Sequence, residues 1–371
     1  MTVTKSFVIY LAVLPRYRDA CVEILRRSIG DQLSIFVSPA HLDSTVTTGI
    51  DRDAYVSVKM IRLFRGRAFI QIGGVYRAVS ADTTLVDLNP RSLSAWWILL
   101  VRRAFRRRTL VWGHLYPQAG AESTTARLRR LMRSLASGTV TYSLDNLSDA
   151  RRDFPGKKAW AAPNALYTAA QLQTPLRSAA NRTDLIYVGR FEPAKKVGLA
   201  IEAFTLFSQT EPSARLVLVG GGSQESDLRR AVAIAGLEDR VVFAGWIDDV
   251  DHLRTLYATA FASLSPGFAG LGLTQSLGFG VPMVIADGEQ HSPEIELAVP
   301  GNAVRFESNN SADFNTAIRS LWEQRATVPL ENAIQYISRV YSADSMALGL
   351  EAALTDRETA HVASARQEAQ S

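Results

Sequence analysis

Two cations, Arg190 and Lys195, follow directly on an apolar run, Leu185–Val188, that ends at Gly189. After them come apolar residues at 197, 200, 201, 204 and 207, a 3.6-residue period that predicts an amphipathic helix. Strand, glycine turn, cations and helix start together make a place to hold an anion. Backbone N–H groups and the positive helix end favour negative charge, and the two side chains add full charges. The competing reading of the same pair is a surface ion pair at a helix start, and the surrounding motifs decide between the two.

The elements that would position these residues alternate regularly. Short apolar strands are predicted at Leu185–Val188, Leu216–Val219, Val241–Phe243, Phe261–Leu264 and Pro282–Ile285, with helical patterns between them. Such alternation predicts a parallel sheet covered on both faces, with ligands at the carboxyl ends of the strands. Arg190, Gly220–Gly222, Trp246 and Pro266–Gly272 all fall at such ends. The first half repeats the theme, with strands at Phe7–Val13, Leu33–Val37, Ala68–Ile72, Thr84–Leu88, Leu110–Trp112 and Thr139–Tyr142. Its helices are predicted at Arg18–Ile29, Ser94–Arg106 and Thr124–Ser137. The domains read as 1–166 and 183–340, joined by a linker at 167–182. A last helix over Ser342–Thr355 and a polar tail make up 341–371. Two α/β domains of similar size imply a ligand cleft between them.

Composition narrows the class. The 371 residues are 47% apolar, enough for two ordinary cores. A single cysteine, Cys21, excludes a disulfide framework and reads as a core thiol, which suits a reducing compartment. No Cys/His cluster has metal-ligand spacing, and no run approaches the ~20 apolar residues of a spanning helix. The run Phe7–Leu14 reads as a first strand and not as a signal peptide, which points to a cytoplasmic protein. Residues 1–160 carry 25 Lys+Arg against 12 Asp+Glu, a net of +13, whereas 161–371 carry 16 against 24, a net of −8. The first half therefore expects an anionic partner.

Four segments carry a resemblance. Gly189-Arg190-Phe191-Glu192-Pro193-Ala194-Lys195, Leu216–Gly222, Asp239–Trp246 and Ser265–Pro282 resemble, in order and spacing, the motifs of family 4 retaining glycosyltransferases. The resemblance is strong over about 183–305 and weak over 1–165. It implies the GT-B architecture, two Rossmann-like domains with parallel sheets facing a central cleft. The sugar nucleotide would lie mainly on the C-terminal domain and the acceptor on the N-terminal one. Arg190 and Lys195 match the family's phosphate-binding pair, and Gly270 and Leu271 match its backbone donors. Gly189, Trp246, Ile247 and Glu294 complete the implied donor site. Two glutamates of the family signature are replaced here, by Gly267 and Gln275. Gln275 can still hydrogen-bond the ribose hydroxyls, whereas Gly267 brings no side chain. The sequence from Ser265 to Leu271 resembles a subgroup associated with surface-polysaccharide assembly.

His114 ends the strand Leu110–Trp112, where the resemblance implies a role near the donor sugar; a lone histidine is otherwise a satisfied structural residue. Arg16 and Arg18 follow the first strand and face either the phosphates or an anionic acceptor, or belong to a solvated turn. The stretch Ser94–Arg108 joins two tryptophans to five arginines, and Arg127, Arg129, Arg130 and Arg133 add a second basic group. Together they suggest contact with an anionic membrane surface, unless they are simply core helices with arginine ends.

These readings converge on hexose transfer from a nucleotide diphosphate sugar to a lipid-linked or oligosaccharide acceptor, without a metal or other cofactor. A nicotinamide oxidoreductase would need Gly-x-Gly-x-x-Gly after the first strand, and Pro15-Arg16-Tyr17 stands there instead. A polyanion-binding module and a GT-B epimerase or hydrolase are the remaining alternatives.

Overall fold

The strand–helix alternation builds two parallel sheets, each with its own core, in the computed structural model. It describes residues 5–42, 47–117, 123–172 and 182–358. The chain divides into residues 1–169 with 340–371, and residues 170–339. Of the predicted linker, 173–181 lies outside the described residues, as does the tail from 359.

The first unit runs β1 (Phe7–Tyr10), α1 (Asp19–Ile29), β2 (Leu33–Val37), β3 (Val56–Ser57), β4 (Lys59–Leu63), β5 (Ala68–Ile72) and α2 (Val75–Ser80). It continues through β6 (Thr83–Asp87), α3 (Leu93–Ala104), β7 (Arg108–Trp112), α4 (Thr124–Leu135), β8 (Gly138–Thr141), α5 (Leu144–Asp153) and β9 (Lys158–Ala161). Its seven-stranded sheet has the order β3-β2-β1-β6-β7-β8-β9. One face packs α1 against the C-terminal helix Ala343–Thr355 through Leu25, Ile35, Leu85, Met346 and Leu350. The other face is covered by α2, α3 and α4 through Val86, Ile98, Leu99, Val111 and Met132. Cys21 lies in the first of these layers, free and buried, and burial pushes its thiol up to about 12.

Ala68–Ile72 is a strand but not one of the parallel sheet: it forms an antiparallel hairpin with β4. Its burial alternates residue by residue, with Phe69 and Gln71 in and Ile70 and Ile72 out, as a half-buried strand requires. Gln71 ties the hairpin down, its Nε2 donating to Leu11 O and Ser38 Oγ, each at 2.9 Å. The basic group of this unit is divided between the fold and solvent. Arg102 and Arg133 are buried, Arg107 and Arg129 donate to backbone carbonyls, Arg108 holds the C-terminal helix, and Arg130 pairs with Asp153. Only Arg103, Arg106 and Arg127 of these nine stand in solvent with neither an ion pair nor a side-chain hydrogen bond among the described residues.

The second unit runs β10 (Asp184–Val188), α6 (Val197–Ser208), β11 (Arg215–Val219), α7 (Glu225–Ala235), β12 (Val241–Gly245), α8 (Val250–Thr259) and β13 (Ala260–Ser265). Then follow α9 (Gly272–Gly278), β14 (Met283–Asp287), β15 (Ala303–Glu307), α10 (Ser311–Glu323) and α11 (Glu331–Val340). The sheet order is β12-β11-β10-β13-β14-β15, all parallel. The strands read as near-continuous apolar runs because both faces are covered. Strand order reverses between β10 and β13, and a crevice opens outside the carboxyl ends at such a switch point.

Candidate functional site

The switch point of the second unit brings together residues far apart in sequence. The turn after β10 carries Gly189, Arg190 and Lys195, and the loop after β13 carries Pro266–Leu271. They are joined directly: Phe268 N–H donates to Ala194 O at 3.1 Å, and Lys195 Nζ donates to Phe268 O at 2.8 Å. The ammonium also lies 4.6 Å from the centre of the Phe268 ring. Burial, and then the nearby Arg190, push the Lys195 ammonium down to about 8. Arg190 itself is exposed, and its guanidinium makes no hydrogen bond or ion pair among the described residues. Its carbonyl is pinned by Tyr187, whose hydroxyl donates to it at 2.9 Å. One cation is thus held and half-buried while the other is free to reach an anion.

Lys195 predicts an alkaline limit. Its proton is present below pH about 8 and lost above it, so affinity of the free protein for a nucleotide diphosphate is expected to fall as pH rises through that value. Lys195→Arg, which stays charged, should remove the limb. Titration calorimetry from pH 6 to 10, flat for the unsubstituted protein, would disprove it. The stability effect has the opposite sign. With the folded value below lysine's ordinary 10.5, the unfolded chain binds more proton between the two, and stability rises with pH there.

The turn after β10 needs a neighbour without a side chain. Gly220 has φ +134°, and a Cβ there would lie 1.9 Å from Gly189 O. Gly189 N–H donates to Val219 O, and Phe191 N–H to Gly221 O. The glycine run therefore serves close approach of two backbones. Gly267 has the same role with a sharper consequence: a Cβ there would meet Ala194 O at 2.4 Å and Lys195 C at 2.9 Å. The place of the first signature glutamate is thus occupied by the backbone that carries Lys195. Gly267→Ala is expected to cost roughly 1–3 kcal/mol and to weaken diphosphate binding with it. An unchanged melting temperature and affinity would refute this packing argument.

The 266–272 loop is clamped from behind. Ala269 N–H donates to His291 Nδ1 at 3.1 Å, and Ser292 N–H donates to Ala269 O at 2.9 Å. His291 Nε2 reaches Ala286 O at 2.9 Å, so the ring is a neutral tautomer with its proton on Nε2; burial lowers its pKa. Among the described residues, no protein acceptor meets the N–H groups of Gly270 and Leu271 just before α9. Nothing local in the sequence singles out His291, because its two bonds depend on the return of β14 beside β13.

The remaining donor-side candidates sit around this crevice. Trp246 is exposed, with Nε1 donating to Asp248 Oδ1 at 2.8 Å, and Ile247 is half-buried beside it. Their turn meets the glycine run, since Gly220 N–H donates to Gly245 O at 2.8 Å. Gln275 is buried on α9, and its Oε1 accepts from the Tyr257 hydroxyl at 3.4 Å. Glu294 is fully buried in the short turn Pro293–Leu297, against α9. Sequence reasoning passed over Tyr187 and Tyr257, which look like ordinary apolar positions of a strand and a helix until their hydroxyls are placed.

The first unit has its own cluster at its own switch point, between β1 and β6. Asp87 ends β6 and accepts from Ala12 N–H at 2.5 Å; burial pushes its carboxyl up to about 7, against the pull of that bond and of Arg18. Arg18 is not the exposed anion-binding group it could be from sequence. Its guanidinium is buried 4.6 Å from the Trp112 ring and 4.9 Å from the Tyr142 ring, and donates to Asn164 Oδ1 at 3.2 Å. Arg16 is exposed. His114 follows β7, its ring 4.8 Å from that of Tyr142. Burial, then Arg129 and Arg18, push it down to about 4, so at neutral pH it is an uncharged imidazole that hydrogen-bonds without adding charge. No group of three His, Cys, Asp or Glu side chains is placed to hold a metal among the described residues.

Two Rossmann-like units, each with a parallel sheet, define the GT-B fold. Residues 171–340 match the family Glycosyl transferases group 1, which makes the class of that segment glycosyltransferase. The chain is 30% identical over 111 residues to mannosylfructose-phosphate synthase of Agrobacterium fabrum, covering 27% of this chain and 24% of the relative. It is 33% identical over 114 residues to D-inositol 3-phosphate glycosyltransferase of Acidothermus cellulolyticus, covering 28% and 25%. The matched stretch thus spans about a quarter of those relatives' length. In fold, the chain is similar to Anabaena Alr3699/HepE in complex with UDP, with a TM-score of 0.67 at 15% identity over 95% of this chain and 100% of that one. It is similarly close to the lipopolysaccharide outer core galactosyltransferase WaaB, at 0.66 and 15% over 95% and 99%.

Proposed function

We propose that the whole chain is a retaining glycosyltransferase. It moves a hexose from a nucleotide diphosphate sugar to a hydroxyl of a lipid-linked or oligosaccharide acceptor in cell-surface glycan synthesis. The observation that carries this is the meeting of Arg190, Lys195 and the open N–H groups of Gly270 and Leu271 at one switch point. Relatives that act on sugars and a fold neighbour holding UDP support the reading.

In the proposed reaction the bond from the anomeric carbon to the diphosphate breaks, and a bond to the acceptor oxygen forms on the same face. The acceptor proton passes to the departing phosphate oxygen. Negative charge grows on the β-phosphate, and fixed donors aimed at it lower the barrier. Arg190 and Lys195 supply charge, Gly270 and Leu271 supply N–H groups, Gln275 holds ribose, and neutral His114 orients the donor sugar. The reaction is proposed to run without metal, in the cytoplasm or at the inner face of the membrane, within the surface-polysaccharide subgroup.

A thermal-shift screen against UDP-, GDP- and ADP-sugars tests donor binding, since a ligand at 100 times its Kd adds about 2.7 kcal/mol. No shift with any of them sinks the reading. Turnover that persists in chelator supports the metal-free route, and its loss overturns it. A fold neighbour described as a UDP-N-acetylglucosamine 2-epimerase, at a TM-score of 0.58, favours a second reading. Sugar-nucleotide consumption that needs no acceptor would establish that one instead.

A further inference from the structure

The outward face of α3 is apolar over its first two turns, which is the reverse of a helix that covers a sheet and faces water. On α3 the inward positions are Ala95, Ile98, Leu99 and Arg102, while Leu93, Trp97 and Leu100 point out at four- and three-residue spacing. Trp97 is 60% exposed and Leu100 50%. The neighbouring α4 buries Ala126, Met132 and Arg133 and adds exposed Leu128 and Leu131, set among the exposed Arg127 and Arg130. Phe64, 73% exposed at the turn of the β4–β5 hairpin, extends the surface past the start of α3. That turn is held there by Arg91, whose guanidinium donates to Gly66 O.

Charge names the partner. Segments 59–72, 91–108 and 124–135 hold 14 Lys and Arg (4, 6 and 4) and no Asp or Glu. Some of these cations serve the fold, as described above, but Arg65, Arg67, Arg103, Arg106 and Arg127 are unpaired in solvent among the described residues. A patch of exposed Trp, Leu and Phe rimmed by free arginines matches an interface that is apolar within and anionic at its surface. No described helix is long and apolar enough to cross a membrane. From this arrangement we infer that the α3–α4 face, with the hairpin turn, docks onto an anionic phospholipid surface, seating Trp97 and Leu100 at the headgroup level. The inference rests on the proposed peripheral location, but the docking needs neither donor nor acceptor.

The experiment is co-sedimentation of the full chain with vesicles of phosphatidylcholine alone or mixed with phosphatidylglycerol. Binding is expected only to the mixed vesicles. The double variant Trp97→Ser/Leu100→Ser and the double variant Arg103→Glu/Arg106→Glu should each lower the partition coefficient by about tenfold or more. All four side chains are exposed, and an unchanged melting temperature with unchanged nucleotide binding verifies that both variants fold. Equal binding to neutral vesicles, no binding at all, or full binding by the Trp97/Leu100 variant overturns the proposal. So does an oligonucleotide that binds as tightly and is indifferent to the apolar substitutions. Loss of nucleotide binding with vesicle binding intact would instead count against the glycosyltransferase reading alone.

Discussion

Replacing Arg190 or Lys195 by alanine is expected to lower turnover by about 10²–10³, the scale of removing one fixed transition-state donor. The two losses should differ in kind. Lys195 is already desolvated and bonded to Phe268 O, so its charge is in place before any ligand arrives. Its removal should weaken nucleotide binding and turnover together. Arg190 is exposed and makes no side-chain bond among the described residues, so the anion must order it. Its contribution should appear mostly in kcat, where the departing diphosphate carries the most charge. The double variant should lose less than the product of the two, because Arg190 lowers the Lys195 pKa and the sites are coupled. Steady-state kinetics of the three variants decide it; an Arg190→Ala protein with unchanged kcat would defeat the assignment.

Arg102→Leu is expected to be the most destabilising single change in the first unit. Its guanidinium is wholly buried without an ion pair among the described residues, and it acts as a hub for carbonyls. It donates to Ala78 O, Val79 O and Ala81 O at the end of α2, to Asp82 O and Arg108 O, and to Thr109 Oγ1, at 2.6–3.2 Å. Burial, then Arg107, push its pKa down to about 10, so it remains charged at neutral pH. Leucine would leave these carbonyls without donors in a dry interior, which costs roughly 3–5 kcal/mol. For a unit of this size that is on the order of 10 °C in melting temperature. Arg102→Lys, with three donors on a narrower head, should fall between the two. Calorimetry that finds Arg102→Leu within about 2 °C of the parent protein would show that water replaces the guanidinium.

Arg102 also shows where a sequence misleads. In the run Arg-Arg-Ala-Phe-Arg-Arg-Arg its neighbours are indistinguishable from it by type, and a charge count assigns all of them to the surface. Whether an arginine caps a buried helix end or meets solvent depends on which carbonyls pack beneath it. Arg18 is the same case: a cation after the first strand that the fold encloses with Trp112 and Tyr142. The hairpin at 59–72 was half legible, as one strand with the wrong partner, because pairing is a non-local choice.

Taken alone, the chain's sequence determined the alternation of strands and helices, the placing of Arg190, Lys195 and Gly270 at strand ends, and the charge asymmetry of the two halves. These depend on local period, turn residues and composition, which are properties of neighbours along the chain. Only the tertiary structure decided that β10 and β13 lie side by side, so that Lys195 reaches Phe268 O across 73 residues. It alone decided that Gly267 is filled by the Ala194–Lys195 backbone, that His291 clamps the loop, and that Trp97 and Leu100 face out while Arg102 faces in. Each is a contact between segments remote in sequence, and its energy comes from packing that no local pattern encodes.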